Sequence, residues 1–328
     1  MLTYSNEKIN LFNDDALNQY KNWPSPTVIV CDGPYGINGF PGDLLRPDGL
    51  AEWYEPHIKA WDEKVTANTT LWFWGTEIGW AKVHPMLEKY GWKYVCCNIW
   101  DKGKSHVAGN VNTKTIRHLP VVTEVCVQYS KDPVFKVGDV RLSMQEWLRY
   151  EWLRTGLPLY KTNEACNVVN AATRKYFTKC HLWYMPPPDA FEKIVNYANT
   201  YGENSGKPYF SIDGIMPITK QEWEKLRAKF YCPFGITNVW QVSQLRNVER
   251  IKNKNKAVHL NQKPLELMSR IISISSDEGD VVWDPFAGLF TTAISCLETN
   301  RSCYCAEHNT EVYKTGVSRI EALLNQRS

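Results

Sequence analysis

Four short apolar runs in the first 130 residues restrict what this chain can fold into. They are PTVIVCD (26–32), TTLWFWG (69–75), WKYVCCNIW (92–100) and VTEVCVQYS (122–130). Each has strand length and is rich in β-branched and aromatic residues. Several are too apolar to leave one face in water. That pattern predicts central strands of a mostly parallel sheet covered on both faces. Helix-length segments lie between them, GLAEWYEPHIKAWDEKV (49–65) and IGWAKVHPMLEKYG (78–91). Strand alternating with helix is the signature of the α/β class.

With 328 residues, 43% of them hydrophobic, the chain can build one large domain or two modest ones. Its fourteen tryptophans can fill cores or stack on ligands. No window approaches 18 consecutive apolar residues, so no membrane span is expected. The opening MLTYSNEKIN lacks a basic-then-apolar signal pattern, and a cytoplasmic location is expected. Ten cysteines raise the question of metal or disulfides. Cys96 and Cys97 are adjacent, Cys303 and Cys305 alternate within an apolar stretch, and no C-x-x-C pair occurs. Reduced cysteines acting as small apolar core residues, with no metal site, are the expectation.

After residue 257 the strand–helix pattern returns. NQKPLELMSRIISISS (261–276) is helical in pattern, with Pro264 at its start. DVVWDPFAGLFTTAISCLE (280–298) has the pattern strand, turn, helix, and RSCYCAEHN (301–309) is the next strand, ending on Glu307. The middle differs. SMQEWLRYEWLRTG (143–156) is amphipathic, and TNEACNVV (162–169) and NAATRKYFTK (170–179) predict two short helices around an Asn corner, as in a helix-turn-helix. An ordinary helical hairpin fits the same pattern. Residues 135–250 carry 16 Lys and Arg against 11 Asp and Glu, in a chain whose net charge is +3. A basic middle suits a polyanion, and a solvated surface explains such a difference almost as well. The expected organisation is an α/β domain in two halves, 1–134 and 237–328, interrupted by a mainly helical insertion, 135–236.

Two strand ends carry the chemistry. In WDPFAG an apolar strand ends on Asp284 and passes through small residues, Ala287 and Gly288, into a helix. Such a turn lets backbone approach a ligand closely. Glu307, at the end of the following strand, can accept hydrogen bonds from ribose hydroxyls. In CDGPYGI (31–37), Asp32 ends another strand. A carboxylate and a neighbouring carbonyl can together hold an exocyclic amine through its two N–H groups. Tyr35 offers a flat face to an extruded base. Alone, Asp-Gly-Pro is more often a plain turn.

Together DGPYGI, WDPFAG and HLNQKPLEL resemble the D-P-P-Y, D-P-F-x-G and H-x-x-Q-K-P-x-x-L elements of S-adenosylmethionine-dependent DNA amino-methyltransferases, in the order of the β class. NDDAL (13–17), NIWDKG (98–103), TEVCVQYSK (123–131) and TNVWQV (237–242) are similar to further segments in register. The resemblance covers roughly 1–130 and 237–320 and implies a Rossmann-like, doubly wound fold with a target-recognition insertion. It implies adenine-N6 methylation of double-stranded DNA, with S-adenosylmethionine as donor and the target base flipped out of the duplex. Asp32 and the Gly33 carbonyl would then hold the amine, Pro34 would stiffen the turn, and Tyr35 would stack on the base. The turn of Asp284, Pro285, Phe286, Ala287 and Gly288 would hold the cofactor, framing its methionine part. Glu307 would take the ribose, Asp14 or Asp15 the adenine edge, and Lys263 the cofactor carboxylate or nearby backbone. Arg174 and Lys175 are the expected DNA contacts on the insertion. A homodimer and a cognate restriction endonuclease are the implied partners.

Two residues depart from the family pattern. Gly33 stands where the family has proline, which predicts a more flexible loop. Phe290 stands where a second glycine is common, and Phe does not take φ > 0 cheaply. Either the helix starts one turn earlier, or cofactor binding is altered. These departures make a DNA-binding protein with a degenerate methyltransferase core one alternative; cytosine-N4 methylation and an RNA substrate, which the basic middle also suits, are the others. An acid at position 32 favours adenine, since cytosine-N4 relatives more often carry serine there.

Overall fold

The apolar runs form strands where their patterns predict them. A computed structural model of the chain describes residues 2–38, 43–44, 46–103, 115–245, 250–253, 256–259 and 261–326. In chain order the first elements are β1 (Leu2–Ser5), β2 (Ile9–Asn13), β3 (Val28–Cys31), α1 (Leu50–Asp62), β4 (Thr70–Gly75), α2 (Glu77–Lys89), β5 (Trp92–Asp101) and β6 (Thr123–Lys131). A small hairpin follows, β7 (Phe135–Val137) with β8 (Val140–Leu142), and then α3 (Met144–Arg154), α4 (Lys161–Ala165), α5 (Pro188–Tyr201) and α6 (Lys220–Glu224). The last stretch holds β9 (Val239–Gln241), β10 (Lys252–Asn253), β11 (Lys256–Ala257), α7 (Leu265–Ser275), β12 (Val281–Asp284), α8 (Thr291–Glu298), β13 (Ser302–Ala306) and α9 (Thr310–Asn325). The chain forms two compact units, Met1–Lys131 with Ala228–Ser328, and Asp132–Arg227.

The first unit is built on one nine-stranded sheet in the order β1-β2-β13-β12-β3-β4-β6-β5-β9. The pairs from β2 through β4, and β5 with β9, are parallel. β1 with β2, and β6 with both its neighbours, are antiparallel. Side chains alternate across the sheet. Val28, Val30, Trp72 and Trp74 pack with residues of α7, α8 and α9, including Leu267, Ile271, Ala293 and Tyr313. Ile29, Cys31, Leu71 and Phe73 pack with Tyr54, Ile58, Trp61 and Leu87 of α1 and α2. Helices on both faces explain why these strands are apolar along their whole length. Six of the ten unpaired cysteines are buried. Among the described residues, no helix is long and apolar enough to cross a membrane.

Chain direction sets the site. From β3 the chain crosses through α1 to β4 on one side. From β12 it crosses through α8 to β13 on the other. β3 and β12 are neighbours, with Val28 opposite Val282 and Ile29 opposite Trp283. The order reverses between them, so a crevice opens at their carboxyl ends, where Asp32 and Asp284 stand.

The second unit has its own core of Trp147, Trp152, Phe177, Phe191, Phe210 and Trp223, with Phe191 stacked on Trp223 at 3.8 Å between ring centroids. Ser143 and Glu146 cap α3 reciprocally, which fixes where it begins. The helix-turn-helix expectation is not met in length. α4 has five residues, and the turn bearing Arg174 and Lys175 (Thr173–Phe177) is a five-residue π-type helix. Asn167 at φ 55° breaks the chain between them.

At Phe290 the helix does not start a turn earlier. α8 begins at Thr291, directly after Phe290, which takes the left-handed conformation at φ 58° and ψ 38°. That conformation costs about 1–2 kcal/mol for a residue with a Cβ. The ring is fully buried, edge-on to Tyr313 at 5.7 Å. Gly316 on α9 leaves it room, since a Cβ there would lie 2.5 Å from Phe290 Cδ2. Burying a Phe side chain gains about 1.5–3 kcal/mol, enough to offset the strain. Gly316→Ala and Phe290→Gly are each expected to lower stability by about 1–3 kcal/mol in urea unfolding. The double variant should lose less than the sum, because each change relieves the other. Additive losses would show that the two positions are not coupled.

Candidate functional site

The crevice between β3 and β12 is lined by Asp32, His259, Lys263, Asp284, Phe286 and Ala287 among others. Both walls are loops that follow parallel strands, and side chains hold each in place.

On the β12 side, Asp284 is buried and accepts hydrogen bonds from Thr292 Oγ1 (2.5 Å) and the Phe286 N–H (3.1 Å). It therefore ties the turn to the first residues of α8. Burial raises its pKa to about 7; the Thr292 hydrogen bond opposes this and Asp32 adds to it. Gly288, at φ 51°, donates its N–H to Glu307 Oε2 (3.0 Å), and Ala287 N–H bonds the Ala306 carbonyl (2.9 Å). A Cβ on Gly288 would come within 3.0 Å of His259 Nε2. Pro285 is buried and Phe286 half-buried. Glu307 thus does two things at the end of β13: it clips the loop and faces the neighbouring strand end, where Asn13 Nδ2 bonds its carbonyl (2.9 Å). Asp14 and Asp15 follow Asn13. Asp14 accepts from Asp15 N–H, Asn18 Nδ2 and Gln19 Nε2, and Asp15 caps a short turn through the Leu17 N–H. Both carboxylates are engaged in shaping that turn.

On the β3 side, Asp32 accepts from Lys263 Nζ with both oxygens, at 2.7 and 2.8 Å, and from the Tyr35 hydroxyl at 2.7 Å. Lys263 is not a surface lysine. It is 4% exposed and is the counter-ion of Asp32. Tyr35 is not an open platform. The residue is 5% exposed, and its hydroxyl donates towards Asp32 and Glu124 and accepts from Lys263. Burial, with Asp32 and Glu124 beside it, pushes its hydroxyl pKa well up.

Gly33 is not a loosened proline. A Cβ there would lie 2.5 Å from the Tyr54 hydroxyl and 2.9 Å from Phe286 Cδ2. Tyr54 and Phe286 fill the space of the missing ring, and Tyr54 donates to the Pro34 carbonyl (3.0 Å). Asp43 accepts from the N–H groups of Tyr35 (3.1 Å) and Gly36 (2.7 Å). The flexible loop expected from Gly33 is therefore pinned at three points.

Arg174 and Lys175 lie in the second unit. Arg174 is exposed, and the Lys175 ammonium lies 5.4 Å from the Tyr184 ring centroid. The residues that the sequence reading did not single out are Tyr54, Thr292, His259, Glu124 and Lys102. His259 opens the H-x-x-Q-K-P stretch already noted. Glu124 was visible as an acid at the start of an otherwise apolar strand.

The family model for N6/N4 methyltransferases, described as DNA methylase, matches residues 27–318. M.HinfI, a type II methyltransferase of Haemophilus influenzae, is 45% identical over 319 residues, 95% of this chain and 68% of that protein. The DNA adenine methyltransferase YhdJ of Escherichia coli (strain K12) is 39% identical over 85 residues, 26% of this chain. The chain spans about a quarter of the length of YhdJ and of some other curated relatives it matches. Among solved structures, the PvuII DNA methyltransferase (cytosine-N4-specific) superposes with a TM-score of 0.54 over 96% of this chain and 87% of that one. The two are 12% identical, a likeness of fold alone.

Gly33→Ala should cost about 1–3 kcal/mol by overpacking, read by urea unfolding. Adding Tyr54→Phe, which removes the atom at 2.5 Å, should return part of that loss. No change in Gly33→Ala would contradict the packing. A second outcome follows from Asp284. Its folded pKa of about 7 lies above the ordinary 3.8, so its contribution is full below about pH 4 and lost as pH rises through 7. Relative to Asp284→Asn, wild-type stability should fall by up to about 4 kcal/mol between pH 4 and 8. A difference that stays flat or rises would contradict it.

Proposed function

Because the chain belongs to the N6/N4 DNA methylase family, we propose that it methylates the exocyclic amine of a base in double-stranded DNA, with adenine N6 as the target. The family uses S-adenosylmethionine, which supplies an electrophilic methyl group on a sulfonium when bound. The observation that carries this reading is the pairing of β3 with β12. Asp32, the carboxylate proposed to bind the amine, and the Asp284–Ala287 turn line one cleft, with Glu307 bonded to the Gly288 N–H beside it.

The residues present fit that cofactor. Ala287 and Gly288 keep one wall low, and Glu307 stands beside them with a carboxylate suited to ribose hydroxyls. Asp14 and Asp15, at the next strand end, are the proposed neighbours of the adenine edge. On the other wall, Asp32 and the carbonyl of Gly33 accept the two N–H bonds of the target amine. They turn its lone pair towards the methyl group, and alignment supplies much of the rate. When bound, the sulfonium donor would supply the methyl group, its C–S bond electrons staying on sulfur, and the methylated nitrogen would pass its proton to Asp32 or to water. A duplex base reaches this cleft only when flipped out of the stack.

An acid at position 32, where cytosine-N4 relatives more often carry serine, supports adenine, as does the adenine methyltransferase among the relatives. Arg174 and Lys175 are proposed phosphate contacts. A second copy of the chain and a cognate restriction endonuclease are proposed partners, the latter because several relatives are type II methyltransferases. Mass spectrometry of nucleosides from duplex DNA incubated with the chain and S-adenosylmethionine tests the proposal. N6-methyladenine is expected. N4-methylcytosine alone would refute the adenine assignment, and no methylated nucleoside would favour a degenerate core.

A further inference from the structure

The carboxylate that is proposed to bind the amine does not stand alone. Lys263 Nζ lies 2.7 and 2.8 Å from the two oxygens of Asp32, 2.9 Å from the Tyr35 hydroxyl and 3.4 Å from Glu124 Oε2. Its side chain is 3% exposed. The ammonium also lies over the faces of Tyr35 (5.2 Å) and Trp74 (5.1 Å). Glu124 in turn bonds Lys102 Nζ at 2.5 Å. Two acids and two ammonium groups therefore close a neutral, mostly buried quartet.

Topology brings them together. Asp32 follows β3, and Lys263 immediately precedes the Pro264 that caps α7. Glu124 is the second residue of β6, which runs antiparallel to β4. The start of β6 therefore lies at the edge where the parallel strands end. This is why an acid at the beginning of one strand can meet an acid beyond the end of another.

We propose that Lys263 and Glu124 are positioning residues for methyl transfer: Lys263 sets the plane of the Asp32 carboxylate, and Glu124 holds Lys263 in place. This rests on the methyl-transfer reading of the site. A carboxylate offers about four lone-pair directions. Lys263 takes one on each oxygen and Tyr35 takes the second on Oδ1, which leaves one on Oδ2 for a substrate N–H. A bifurcated contact from one nitrogen to both oxygens also fixes rotation about the last bond of Asp32. Burial acts against the Lys263 ammonium, but the Asp32 and Glu124 carboxylates outweigh it and raise its pKa. Burial likewise acts against an ionised Glu124, and Lys263 and Lys102 outweigh that and lower its pKa. Both groups therefore stay charged at neutral pH, and the brace does not switch off there.

The test uses the full chain and the variants Lys263→Met, Lys263→Arg and Glu124→Gln. Cofactor affinity is measured by calorimetry, and the methyl-transfer rate is measured in single turnover on duplex DNA, per cofactor-binding site. A merely structural role would reduce the number of such sites and leave the rate at each unchanged. Lys263→Met should slow transfer by about a hundredfold or more, with cofactor affinity within about threefold of wild type. Glu124→Gln should slow it by about tenfold. Lys263→Arg, which keeps the charge, should recover part of the Lys263→Met loss. If Lys263→Met yields no cofactor-binding protein, the isosteric Glu124→Gln decides alone. Wild-type rates per site in the folded variants would overturn the proposal. So would a loss in Lys263→Met that saturating cofactor restores, since that would make Lys263 a cofactor ligand. A wild-type chain that methylates no DNA would overturn the underlying reading and the proposal with it. An active wild type with indifferent variants overturns the proposal alone.

Discussion

Two residue pairs, Val28 with Val282 and Ile29 with Trp283, join strands about 250 residues apart, and the whole site depends on that parallel contact. Neither strand carries enough chemistry by itself. Beside each other, with their crossovers leaving in opposite directions, they hold the Asp32 and Asp284 loops on either side of a single cleft. The helices on both faces keep the pair buried, and burial in turn demands that every polar group at the strand ends be partnered. Around the cleft, the hydrogen bonds of Asp284, Glu307, Asp43 and Tyr54 meet that demand.

The same economy appears where the chain departs from its family. Gly33 removes a ring, and Tyr54 and Phe286 take up its volume. Because Phe286 belongs to the Asp284 loop, the two walls of the cleft touch through this aromatic contact. Trp53 and His57 extend the cluster on the α1 side, and burial lowers the His57 pKa to about 4, so that ring is neutral at physiological pH. Phe290 introduces strain, and Gly316 makes room for the ring whose burial offsets it. Each departure is matched by a second residue far away in sequence.

That distance explains what was and was not legible. The strands near 28, 70, 92 and 123 and the helices near 50, 77 and 144 follow from period and composition, because those signals are local. Asp32, Asp284 and Glu307 were visible as acids at strand ends. The aim of Lys263 was not, since its partner lies 231 residues away and a helix-start lysine is normally solvated. Tyr54 looked like one more apolar residue on α1, and nothing within its own helix points to Gly33. The left-handed Phe290 was not legible, because the room for its ring comes from Gly316 on another helix. In the second unit α3 was legible as an amphipathic helix, but the short, broken pieces around Asn167 were not, since a single positive φ decides them.

The central claim is that Asp32 acts on the substrate amine and not on the cofactor. Asp32→Asn is nearly isosteric, so single-turnover transfer on duplex DNA, alongside cofactor binding, tests the claim directly. The account predicts that cofactor affinity is retained while the transfer rate falls by at least about a hundredfold. Transfer at the wild-type rate, or a rate loss that disappears at saturating cofactor, would contradict it.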